Sequence, residues 1–122
     1  GSRSLIGKSA IVTKDADGAA FGAFMTVLRG EGINQMYLFY IWQSDYIQKQ
    51  IKILMGALIN QITSFDIQHL QCFIPSLPEQ QAIAAVLSSA DEEISLLQHD
   101  LEQEKLKKKS LMQLLLTGLV RV

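Results

Sequence analysis

Apolar and polar residues alternate irregularly in the first quarter of this chain and settle into helical spacing afterwards. Leu5 to Val12 mixes Ile6, Ala10, Ile11 and Val12 with Lys8 and Ser9, and Phe21 to Leu28 carries Phe21, Phe24, Met25, Val27 and Leu28. Both segments read as strands. Asp17-Gly18 lies between them, a pair suited to a tight hairpin because glycine tolerates positive φ. Arg29-Gly30-Glu31-Gly32 then breaks the chain. From Ile33 to Met55 the apolar residues Met36, Phe39, Tyr40, Ile47, Ile51 and Leu54 recur at threes and fours, which predicts helix. Asn34 is the expected N-cap, Ser44-Asp45 is expected to split the stretch with Ser44 capping the second helix, and Gly56 to end it. Gln61-Ile62-Thr63 suggests a short strand, Ser64-Phe65-Asp66 the start of a helical turn, and Leu70 to Ile74 a strand leading into Pro75.

The C-terminal third predicts one long helix. Ser76 with Glu79 three residues on has the capping-box pattern, and Pro78 is tolerated in a first turn, where its missing N–H would be unpaired anyway. Ile83, Leu87, Ala90, Ile94, Leu97 and Leu101 then alternate by four and three, a seam of heptad type. It is interrupted at Glu104 and Lys108 and resumes with Leu111 and Leu115. Thr117-Gly118 supplies a stop. From Glu79 to Leu116 the rod is about 57 Å long. The expected fold is therefore α+β: a small domain of short strands and helices over 1–75, a long helix over 76–117 and a tail over 118–122.

Charge adds direction to that helix. Asp91, Glu92, Glu93, Asp100, Glu102 and Glu104 come first, and Lys105, Lys107, Lys108 and Lys109 follow. This order suits the helix dipole and sets acid opposite base if the helix meets another like it running antiparallel. Across all 122 residues the formal net charge is −1, so no global basic field announces nucleic acid. Apolar residues at 48% and charged residues at 19% describe a folded, soluble domain. Cys72 is the single cysteine, which excludes an internal disulfide, fits a reducing cytoplasm and reads as a small buried residue beside Phe73 and Ile74. Gly1-Ser2-Arg3-Ser4 is polar and the apolar run after it short, so no signal peptide is read there. No segment reaches about eighteen consecutive apolar residues, so no membrane helix is expected.

No catalytic constellation emerges. His69 and His99 are the two histidines. His69 has no cysteine or second histidine at ligand spacing and His99 is expected exposed, so no metal site and no cofactor are expected. Gly18-Ala19-Ala20-Phe21-Gly22 lacks the lysine and hydroxyl of a phosphate-cradling loop. The residue types that contact phosphates and base edges are basic and amide side chains. Here they are Lys8, Ser9, Lys14, Arg29, Gln43, Lys49, Lys52, Asn60, Gln61 and Thr63, with Ser64 beside them. The helix-pairing candidates are Ile83, Leu87, Ala90, Ile94, Leu97, Leu101, Leu111 and Leu115.

Two motifs carry a family likeness. Ile74-Pro75-Ser76-Leu77-Pro78-Glu79-Gln80-Gln81-Ala82-Ile83-Ala84, followed by Val86-Leu87 and Asp91, resembles the junction between a target recognition domain and a conserved helix in the DNA-specificity (S) subunits of type I restriction-modification systems. Leu106-Lys107-Lys108-Lys109-Ser110-Leu111-Met112-Gln113-Leu114-Leu115-Leu116-Thr117-Gly118, with Val120-Arg121-Val122, looks like the end of that helix. Gly56 to Ile62 and Asp66 to Leu70 resemble the closing part of a recognition domain, and Lys8 to Leu28 is similar more loosely. The resemblance implies a non-catalytic subunit whose recognition domains each read half of a split double-stranded DNA site. It also implies that long helices pair antiparallel as a spacer and dock methyltransferase subunits, the restriction subunits completing the system. Residues 1–75 are fewer than a full recognition domain, so the chain is expected to be a fragment or shortened variant, homodimeric through the helix. Two other readings stay open: a truncated protein–protein interaction module that no longer binds DNA by itself, and an unrelated α+β domain with a dimerisation helix.

Overall fold

The computed structural model describes residues 5–55 and 62–121. Its elements are a 3₁₀ turn at Lys14–Ala16 and four helices: α1 (Gln35–Gln43), α2 (Asp45–Leu54), α3 (Ser64–Gln68) and α4 (Leu77–Leu116). The chain divides into two compact units, Gly1–Ala85 and Val86–Val122.

The helix boundaries follow the capping residues. Asn34 Oδ1 accepts from Tyr37 N at 3.0 Å, satisfying an N–H that the first turn leaves without a helical partner. Ser44 Oγ accepts from Ile47 N at 3.4 Å and donates to Ile41 O at 2.6 Å, so one hydroxyl closes α1 and opens α2. Thr63 and Asp66 make a reciprocal capping box at α3. α4 begins one residue after Ser76, whose carbonyl accepts from Gln80 N at 2.9 Å. It ends where Gly118 turns left-handed at φ +74°, with Gly118 N bonded to Leu115 O and Val120 N to Leu114 O.

The expected α+β fold is overturned: among the described residues there is no strand. The turn at Asp17-Gly18 forms, with Gly18 at φ +78° and Ala19 N on Ala16 O at 3.1 Å. The segments either side of it do not pair. Their backbone bonds are local, such as Lys8 N to Leu5 O and Met25 N to Gly22 O. An isolated two-stranded hairpin is marginal without a hydrophobic face to bury, and here Val12, Phe21, Phe24 and Met25 are all exposed, Phe24 at 95%. Leu70 to Ile74 is likewise unpaired. Helix side chains satisfy its backbone instead: Gln50 receives Gln71 N at 2.9 Å and donates to Gln71 O at 2.8 Å, and Tyr37 Oη donates to Phe73 O at 2.8 Å. In the expected strand at 61–63, Gln61 lies outside the described residues, as does the Gly56 helix end, and Thr63 is the α3 cap.

The core of the first unit is small. Ile47 and Ile51 of α2 and Tyr37 of α1 are buried together with Gln80 and Ala84 of α4. Gln80 and Ala84 are four residues apart and so share one helix face, which rests within the first unit.

Candidate functional site

Three of the expected contact residues come together. Lys8, Ser9 and Gln43 line a shallow groove of about 310 Å³ with Gly7 and Gln48. Its floor is set by Gly7, whose carbonyl accepts from Trp42 Nε1 at 2.8 Å and Gln48 Nε2 at 3.2 Å. Gln48 Nε2 also donates to Trp42 O at 2.8 Å. Gly7 sits at φ +81°, a left-handed conformation that calls for glycine, while a Cβ there would stand 2.9 Å from Gln48 Oε1 and displace only the end of that side chain. The ammonium, hydroxyl and amide of Lys8, Ser9 and Gln43 are exposed, a donor set that suits a phosphate or a base edge.

The remaining candidates lie outside this groove. Lys14 is in the 3₁₀ turn, Arg29 precedes Gly30, and Lys49 and Lys52 are on α2, all exposed. Thr63 is committed to its cap: its Oγ1 donates to Asp66 Oδ2 at 2.6 Å and accepts from Asp66 N at 3.2 Å. The hydroxyl bond, together with one from Thr63 N to Asp66 Oδ2 at 2.8 Å, holds the Asp66 carboxyl below its usual range. Asn60 and Gln61 lie outside the described residues.

The sequence reading missed the junction at the start of α4. Gln80 is 2% exposed; its Oε1 accepts from Asn34 N at 2.9 Å and its Nε2 donates to Pro75 O at 2.9 Å. One amide thereby joins the N-cap of α1 to Pro75, two residues before α4. Tyr37 adds the bond to Phe73 O, and burial raises its phenol pKa, helped by Cys72 and Glu79, so it stays a donor. The available signal was the spacing of Gln80 and Ala84, which sets a polar and a small residue on one face. Cys72, expected buried, is exposed.

The pairing candidates form a single exposed line. Ile83, Leu87, Ala90, Ile94, Leu97, Leu101, Leu111 and Leu115 are all exposed, and no described residue from Val86 onward is buried. Near the end of α4, Leu111, Met112, Leu115 and Leu116 line an open groove of about 320 Å³ with Glu104, Lys107 and Lys108. Lys105 pairs with Glu102 at 2.7 Å and Lys107 with Glu104 at 3.3 Å, both along the helix. Among the described residues no three His, Cys, Asp or Glu side chains are grouped to hold a metal, and no helix is long and apolar enough to cross a membrane.

Comparison with known proteins agrees with the motifs. Residues 1–107 match the family described as type I restriction modification DNA specificity domain. The chain is 35% identical over 97 residues to the type I restriction enzyme MjaVIII specificity subunit of Methanocaldococcus jannaschii, covering 79% of this chain and 23% of that one. It is 37% identical over 93 residues to the putative MjaX specificity subunit of the same organism, covering 75% and 21%. With the StySPI specificity subunit of Salmonella potsdam the identity is 36% over 107 residues, covering 84% and 22%. The chain thus spans less than a quarter of the length of these relatives. No solved structure matches it significantly.

Proposed function

The chain belongs to the type I restriction-modification DNA specificity family, and we propose from that premise that it is a non-catalytic DNA-recognition piece of such a complex. Residues 1–75 act as part of a target recognition domain. α4 acts as the spacer that pairs antiparallel with a similar helix and docks methyltransferase subunits, in the cytoplasm where the system meets double-stranded DNA. The observation that carries this reading is α4 itself. Forty residues form one helix, its first turn fastened by Gln80 within the first unit and its leucine seam uncovered beyond. Lys8, Ser9 and Gln43 supply the nearest thing to a DNA-contacting cluster, with Lys14, Arg29, Lys49 and Lys52 as phosphate contacts. At net charge −1 the chain depends on its partners for much of the attraction to DNA.

The test is a binding experiment with a duplex carrying a split site, with and without the methyltransferase subunits of the same system. The expected result is weak binding alone and sequence-selective protection in the assembled complex. Failure to assemble with those subunits would sink the proposal.

One observation favours the second reading, an interaction module that does not read DNA by itself. Val12, Phe21, Phe24 and Met25 are uncovered in the segment that carries Lys8, Lys14 and Arg29, so the reading surface lacks packing beneath it. Co-purification with methyltransferase subunits, with no duplex shift even at low salt in the assembled complex, selects that reading.

A further inference from the structure

We infer, resting on the reading of the chain as a DNA-recognition piece with α4 as its spacer, that Gln80 is a positioning residue for DNA recognition. Through α1 it holds the groove of Lys8, Ser9 and Gln43 at a fixed place relative to the start of α4, and so sets which gap between half-sites is accepted. All the residues involved lie within the first unit, Gly1–Ala85.

α1 is a strut held at both ends. At its start, Gln80 Oε1 accepts from Asn34 N at 2.9 Å, and Asn34 Oδ1 caps Tyr37 N at 3.0 Å. Tyr37 Oη donates to Phe73 O at 2.8 Å, and Gln80 Nε2 donates to Pro75 O at 2.9 Å. These bonds close a ring that runs from Gln80 through Asn34, Tyr37, Phe73 and Pro75 back to Gln80. At the other end, Trp42 Nε1 donates to Gly7 O at 2.8 Å, and Gln48 Nε2 bonds both Gly7 O and Trp42 O. Gln43 is the last residue of α1, and Lys8 and Ser9 directly follow the gripped Gly7. The ring and the groove are thus the two ends of one helix, about 14 Å apart at a rise of about 1.5 Å per residue.

A helix of nine residues bends little, so a tilt at its start is carried to its end. A swing of about 15° moves the far end of a strut about 14 Å long by about 3.6 Å. One base pair added to the gap shifts a half-site by about 3.4 Å along the duplex. A small looseness at the ring is therefore worth one base pair at the groove. Gln80 is suited to prevent it. At 2% exposure its amide meets little competition from water, and it supplies an acceptor and a donor at once. Apolar packing of the right volume holds helices together but loses uniqueness of position before stability, whereas two hydrogen bonds fix direction as well as distance. Ala84, one turn further along the same face and 4% exposed, supplies contact without such direction. The tie from Gln50 to the backbone of Gln71 is exposed and belongs to α2.

The experiment uses the full chain assembled with the methyltransferase subunits of the same system. Binding is measured to duplexes whose half-sites stand at the preferred gap, or one base pair closer or further apart. The parent complex should favour its preferred gap by about tenfold. Gln80→Met keeps the bulk and removes both bonds; it should cut that preference to about threefold or less, while the base preferences within each half-site stay as in the parent. Ile47→Ala opens a cavity in the same small core; it should lower stability and keep the parent's gap preference. An unchanged preference in Gln80→Met, or an equal loss in Ile47→Ala, overturns the inference. Where Gln80→Met does not fold, Tyr37→Phe decides. It opens the ring at Phe73 O alone and should relax the preference about twofold; an unaltered preference overturns the inference. A parent complex that assembles but selects no split site sinks the DNA-recognition reading and the inference with it. A parent that selects its site, with a Gln80→Met complex that keeps the same gap, sinks the inference alone.

Discussion

Ile51 in the first unit is 1% exposed, whereas Leu97 and Leu101 in the second, of the same chemical class, are 61% and 55% exposed. The first unit encloses its best apolar positions between α1, α2 and the first turns of α4. The second, which holds α4 from Val86 onward, leaves every leucine of that stretch uncovered. An isolated helix has no internal core to draw on, and most helix stability in proteins comes from packing an apolar face. The difference teaches that the two units answer to different partners: stability of the first is intramolecular, while that of the second is tied to whatever covers the seam.

The largest expected effect separates them directly. Leu97→Glu places a carboxylate in the exposed seam of α4 and should lower association through that face by about three orders of magnitude. Unfolding of the first unit should be unaffected. Sedimentation with parallel thermal melts monitored at the Trp42 fluorescence reads both; an unchanged oligomeric state would show that this face is not the interface. The converse substitution, Ile51→Ala, should destabilise the first unit by about 3 kcal/mol through lost burial and a residual cavity. Chemical denaturation would record it, and association through the α4 seam should survive wherever the protein remains folded.

A third prediction concerns the junction. Gln80→Ala removes both bonds of a buried amide and leaves Asn34 N–H and Pro75 C=O without these partners, a loss of about 2–3 kcal/mol. Gln80→Glu retains an acceptor for Asn34 N but turns a carboxylate oxygen toward the Pro75 carbonyl, so it should not rescue. Equal stability of the two variants and the parent would mean that solvent or a neighbour replaces the amide.

Much of the helical framework was legible in the chain because its signals are local. Asn34, Ser44 and Gly118 act within a turn of the residues they cap, and the seam of α4 is a matter of spacing alone. The strands were misread because an apolar β-like segment looks the same whether or not another strand lies beside it. What keeps Leu70 to Ile74 unpaired is Gln50 and Tyr37, which reach it from 21 and 36 residues away, and nothing in a glutamine announces such a bond. The same holds for the site. Lys8, Ser9 and Gln43 were legible as residue types, but the groove that gathers them depends on Trp42 reaching Gly7 across 35 positions. Gln80 stood inside the family motif in plain view, yet its burial follows from packing on Asn34, not from the motif's letters.

The remaining predictions probe the finer bonds of the first unit. Tyr37→Phe deletes the phenol that serves Phe73 O and should cost about 1 kcal/mol, less than either change at Gln80, because one carbonyl alone loses its partner. Smallest is the α3 cap, where Asp66 accepts from Thr63 N at 2.8 Å and from its hydroxyl at 2.6 Å. These bonds favour the ionised carboxylate, with a smaller contribution from His69, and set its pKa lower in the folded chain than in the unfolded one. The cap's contribution is therefore present above the unfolded carboxylate range and is lost as pH falls through the lower, folded value. NMR titration of the Thr63 and Asp66 amides should show α3 loosening at acid pH, before any change at Gln80. Asp66→Asn should remove that pH dependence. An unaltered titration in the variant would assign the acid transition to another carboxylate and leave α3 without its pH-sensitive cap.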